Sequence, residues 1–135
     1  MIYDITPPIS ERLAVWPGDT PPSREVLCDM RRGDNLTLST LHATVHLGAH
    51  ADSPSHYTAD APAIHDRPLD LYLGPCQLIR LAVPRGACIK PDGITLPIAA
   101  ERVLFSTGTY RDPEHFHEDF AALTPELIEW LAARG

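Results

Sequence analysis

Leu36-Thr37-Leu38-Ser39-Thr40-Leu41-His42-Ala43-Thr44-Val45-His46-Leu47-Gly48-Ala49-His50-Ala51-Asp52-Ser53-Pro54-Ser55-His56 reads as two regimes that meet near a glycine. Up to His46 the residues alternate and favour β-branched types, so residues 36–46 are expected to form the longest strand of the chain. From His46 onward, three histidines and one aspartate fall within eleven residues. Imidazole nitrogen and carboxylate oxygen are the donors that Zn²⁺ and similar ions select, and a catalytic site uses about three of them plus a water.

Parity sharpens this reading. His42, Thr44, His46, Gly48, His50, Asp52 and His56 are all even-numbered, so an extended chain points them to one side. Extension alone cannot build a metal site, because four residues of strand cover about 13 Å. Ligand atoms must each lie roughly 2 Å from one ion. The chain therefore has to bend between His46 and His50, and Gly48 is the residue best able to take the unusual backbone angles. A helix would also bring histidines four apart to one face, but Gly48, Pro54 and the β-branched approach disfavour it.

Within the bend, His46, His50 and Asp52 are the candidate metal ligands. His56 follows Pro54, which turns the chain away, and is the candidate catalytic residue beside the metal-bound water. A bound ion lowers the pKa of such a water to about 7, and an imidazole is suited to pass its proton. These parts fit hydrolysis of an amide or ester. His42, one strand period upstream, reads as a supporting or surface group. His65, His115 and His117 read as solvated surface histidines in polar loops, and nothing shapes residues 114–119 into a second site.

Outward from this stretch, residues 2–6 read as a short strand closed by Pro7-Pro8. Trp16-Pro17-Gly18-Asp19-Thr20-Pro21-Pro22 excludes helix and strand interior alike. Its tryptophan either plugs the edge of the core or forms a wall for an aromatic substrate. Residues 24–30 suit a further strand and 31–35 a polar turn, and 57–75 look irregular. Residues 76–83 and 102–107 carry nearly continuous apolar runs, as expected for strands covered on both faces. Residues 124–135 form the one clear helix. Thr124 suits its N-cap, Pro125 and Glu126 its first turn, and Gly135 its C-terminal cap. Leu127, Ile128 and Leu131 are the expected buried stripe.

The totals bound the rest. With 135 residues there is room for one ordinary domain, spanning 1–135. Three cysteines without C-x-x-C spacing argue against a disulfide framework or thiolate zinc knuckle, and a cytoplasmic location is the natural reading. No secretory leader or membrane-length apolar run stands out. A formal charge of −7 and the lack of a basic patch make nucleic acid an unexpected partner.

The run H-x-G-x-H-x-D-x-P-x-H, from His46 to His56, resembles the signature of the metal-dependent cyclase family, with Ala49 where that family usually has threonine. Asp4-Ile5-Thr6-Pro7-Pro8-Ile9-Ser10, Val15-Trp16-Pro17-Gly18-Asp19-Thr20 and Leu69-Asp70-Leu71-Tyr72-Leu73-Gly74-Pro75-Cys76 resemble its bacterial kynurenine formamidase (arylformamidase) branch. The resemblance implies an α/β fold with a mixed, β-barrel-like core flanked by helices, and a homodimer. It implies hydrolysis of N-formyl-L-kynurenine to L-kynurenine and formate in tryptophan degradation. It further implies two zinc ions per subunit, held by His46, His50 and a bridging Asp52, with His56 as proton donor and acceptor and Trp16 against the substrate. Family members are longer, and a further histidine and glutamate complete their two-metal site. No stretch here matches those two, so the resemblance implies a partial chain with an incomplete second metal site.

Overall fold

Pro21 and Pro22 lack a backbone N–H, so ladder pairing begins only after them. Strand β1, Ser23–Cys28, runs antiparallel to β2, Leu38–His42, in register from Ser23 opposite His42 to Cys28 opposite Leu38. The register shifts between Val26 and Cys28, which leaves Leu27 as the extra residue of a bulge. A 3₁₀ turn at Met30–Arg32 joins the strands. Its Asp29 cap accepts from the Arg31 N–H, and Gly33 closes it in the left-handed region.

The computed structural model describes residues 1–134 and divides them into two compact units. The first, Met1–Asp52 with Asp112–Phe116, holds the β1–β2 pair. The second comprises Ser53–Arg111 and the chain from His117 on. It contains two parallel pairs: β3 (Cys76–Arg80) with β5 (Arg102–Ser106), and β4 (Cys88–Ile89) with β6 (Ala122–Leu123). Helix α1, Pro125–Ala132, follows β6 directly. Leu13 is buried in the first unit, and Ile79, Ile89 and Leu127 in the second.

The architecture is therefore mixed α/β, but among the described residues the strands form three two-stranded sheets and no closed barrel. Four local expectations are corrected. Residues 2–6 form no strand, since among the described residues none pairs with them. Their order is limited to an Asx-type turn in which the Thr6 N–H donates to Asp4 Oδ1 at 3.0 Å. The strand expected over 36–46 stops at His42, because its partner ends at the Pro21-Pro22 block, and β1 is the longer of the two. The expected strands 76–83 and 102–107 shorten to β3 and β5 and are not covered on both faces, for Leu78 and Leu104 are exposed while Ile79 is buried. On α1 the buried stripe centres on Leu127, and Ile128 faces outward, half exposed. The cap expected at Gly135 lies outside the described residues. Among the described residues no helix is long and apolar enough to cross a membrane.

Candidate metal centre

Past His42 the chain leaves the ladder, turns at Val45–His46 and bends at Gly48, whose φ is +64°. The buried Leu13 fills the inside of the bend. A Cβ added to Gly48 would lie 3.4 Å from Leu13 Cδ2. With this bend, His46, His50 and Asp52 each offer a donor atom to one point. His46 Nδ1 is 3.1 Å from His50 Nε2 and 2.9 Å from Asp52 Oδ1, and His50 Nε2 is 3.3 Å from the same oxygen.

That triangle is a physical test of fit. Ligands bound about 2.0–2.2 Å from one ion in tetrahedral or octahedral array are separated by roughly 3.0–3.5 Å. The three measured edges match, or nearly match, a coordination face of that size. The tautomer agrees as well. His50 Nδ1 lies 2.8 Å from the Gly48 carbonyl oxygen, which can only accept, so Nδ1 carries the proton and Nε2 presents a lone pair. The side chains of His46, His50 and Asp52 are about a third exposed, which leaves one side of the cluster open to a ligand. Among the described residues, these three form the group whose donor atoms all fall within 4.8 Å of one another.

Spacing had singled out the three side chains; the residues that hold them were not legible in it. Thr44 Oγ accepts the His46 N–H at 3.2 Å, and the Thr44 N–H donates to the Thr20 carbonyl at 3.3 Å. The Thr44 side chain also stands beside the Asp19 carboxylate and is the largest cause holding Asp19 below the usual aspartate range, followed by the Thr20 N–H, with His46 adding a smaller electrostatic pull. The only signal in the sequence was a threonine two residues before the first histidine.

Trp16 lies in the same unit and is 58% exposed, with its ring edge-on to Phe116 at 5.2 Å and 71°. At that exposure the indole does not fill a core. His56 belongs to the second unit. It ends the 3₁₀ turn Pro54–His56, its N–H donates to the Ser53 carbonyl at 3.0 Å, and its ring stands edge-on to Tyr57 at 4.6 Å. His42 is exposed on β2, 3.4 Å from Glu25 on β1. His65, exposed, stands beside Asp66. The stretch 114–119 is divided between the units: Glu114 pairs with Arg12 at 2.8 Å, whereas Arg85 bonds both His117 and Asp119.

The sequence profile of the Cyclase family matches residues 3–135. The kynurenine formamidase of Bordetella petrii is 39% identical over 138 residues, covering 99% of this chain and 65% of its own length. A solved structure described as a potential metal-dependent hydrolase with cyclase activity superposes with a TM-score of 0.79 at 28% identity, over 97% of this chain and 62% of that one. The chain thus spans a little under two thirds of the relatives it matches.

Proposed function

The chain belongs to the Cyclase family, and on that premise we propose that it carries the metal-binding part of an amide hydrolase that converts N-formyl-L-kynurenine to L-kynurenine and formate. The donor triangle of His46, His50 and Asp52 is the observation that carries the reading. The 39% identity to a kynurenine formamidase supports this choice of substrate. Two imidazoles and a carboxylate suit Zn²⁺, and Asp52 would be the ligand shared with a second ion. An ion held there supplies Lewis acidity and a nucleophile at neutral pH. His50 and His46 fix its position through their rings. His56 takes up and returns the proton that the departing amine requires, and the exposed indole of Trp16 offers a face to the aryl ring of the substrate. A cytoplasmic homodimer and a barrel-like core completed by further chain belong to the same proposal.

The test is formate release from N-formyl-L-kynurenine by the Zn²⁺-loaded protein, with bound metal measured in parallel. His50→Ala is expected to lose both metal and turnover. His56→Ala is expected to lose turnover and keep the metal, and Trp16→Ala to raise KM more than it lowers kcat. Turnover of lactones or other amides without formate release from formylkynurenine would replace this substrate with another of the family's. Absence of tightly held metal in the unmodified chain would leave a non-catalytic module, a reading that the partial span of its relatives keeps in play.

A further inference from the structure

Two loops of the first unit meet at one threonine. Trp16-Pro17-Gly18-Asp19 forms a tight turn with proline in its second place and Gly18 at φ +92° in its third, closed by the Asp19 N–H donating to the Trp16 carbonyl at 2.9 Å. Asp19 Oδ1 accepts the Thr20 N–H at 2.7 Å, and the Thr44 hydroxyl stands beside the same carboxylate, the largest influence holding it below the usual aspartate range. Thr44 is held from its other end by the bond from its N–H to the Thr20 carbonyl at 3.3 Å.

A hydroxyl has a single proton and two lone pairs. A carboxylate is a stronger acceptor than the neutral groups around it, so the Thr44 proton goes to Asp19. That leaves a lone pair on Thr44 Oγ facing the His46 N–H, 3.2 Å away. We propose that Asp19 and Thr44 are positioning residues that orient His46 as a metal ligand and tie it to the turn bearing Trp16. The inference rests on the metal reading above. The Asp19 carboxylate sets the Thr44 hydroxyl, the hydroxyl sets the His46 backbone, and the same turn sets the indole. A change at Asp19 therefore acts on the ligand and on the aromatic wall together.

The experiment titrates the 135-residue chain with Co²⁺ against a chromogenic chelator and records the visible d–d spectrum of the bound ion. Thr44→Val keeps the shape and removes the acceptor, Thr44→Ser restores it, and Asp19→Ala removes the group that orients it. Loss of a partner that orients a metal ligand typically costs about 10–100-fold in affinity. Thr44→Val and Asp19→Ala are each expected to fall in that range with an altered spectrum, while Thr44→Ser stays close to the unmodified chain. The double variant Asp19→Ala/Thr44→Val is expected to be no weaker than the poorer single one, because both break a single relay. Unchanged Co²⁺ affinity in Thr44→Val, or fully additive losses, overturns the proposal. Should Thr44→Val not fold, Asp19→Asn carries the test: it keeps the turn but weakens the acceptor, and unchanged affinity and spectrum overturn the relay. Failure of the unmodified chain to bind Co²⁺ in a His50-dependent way would instead sink the metal reading itself, and is seen before any relay variant is compared.

Discussion

Gly48 decides whether His46 and His50 can share an ion. At φ +64° it occupies the left-handed region, where a Cβ is set against its own backbone, and Leu13 stands where that Cβ would point. For a residue with a side chain this region costs roughly 1–2 kcal/mol. Gly48→Ala is accordingly expected to lower stability by about 1–2 kcal/mol in denaturant unfolding. It should also weaken metal binding, because relief of the strain opens the bend. An alanine variant as stable as the parent, with the same metal affinity, would remove Gly48 from the argument. This position was legible in the sequence because the distance constraint on His46 and His50 admits one bend, and one residue there is free to make it. Thr44 and Asp19 were not, because their role depends on a contact between residues far apart in the chain.

At the scale of elements, α1 was the most legible part because its signals are local. The Thr124 side chain accepts the Leu127 N–H at 3.3 Å, Pro125 opens the helix, and Thr124 is itself buried. Thr124→Ala is expected to cost about 1 kcal/mol, measured by thermal or urea unfolding, with Thr124→Ser recovering most of it. Glu126 lies in the same first turn. Its carboxyl is held below its ordinary value of 4.5, first by its own backbone N–H and then by the Thr124 side chain. A carboxyl depressed in the folded state adds stability that is complete above pH 4.5 and fades as pH falls through the lower folded value. The stability difference between the parent and Glu126→Gln is therefore expected near neutral pH and should close under more acid conditions. A difference that persists or grows on acidification would refute the assignment. The strands were less legible, since β propensity marks what can pair and says nothing of whether a partner is present. Residues 2–6 carry the propensity but have no pairing strand among the described residues, and β2 stops where Pro21 and Pro22 end its partner. Apolar runs in β3 and β5 suggested cover on both faces, yet each belongs to a two-stranded sheet whose alternate residues, Leu78 and Leu104, stay exposed.

For the whole molecule the accessible area is the telling quantity. A folded monomer of 14.9 kDa is expected to expose about 7,000 Å², whereas this chain exposes 10436 Å². Large apolar side chains contribute to it: Trp16, Leu41, Val45, Leu69, Leu78, Leu104 and Ile128 are each between 43% and 87% exposed. Apolar surface on that scale marks contact with another polypeptide. A standard interface removes about 800 Å² from each partner, only about a quarter of the excess, so a second copy covering this surface would have to bury more than a standard interface does. Such a dimer ties folding to association. The expected mass in sedimentation equilibrium is twice 14.9 kDa at micromolar concentration, and the melting temperature should rise with protein concentration. A monomeric mass with a concentration-independent melting temperature and strong binding of a hydrophobic dye would show that a second copy does not cover this surface. The further length that the relatives possess would then be the polypeptide that fits it.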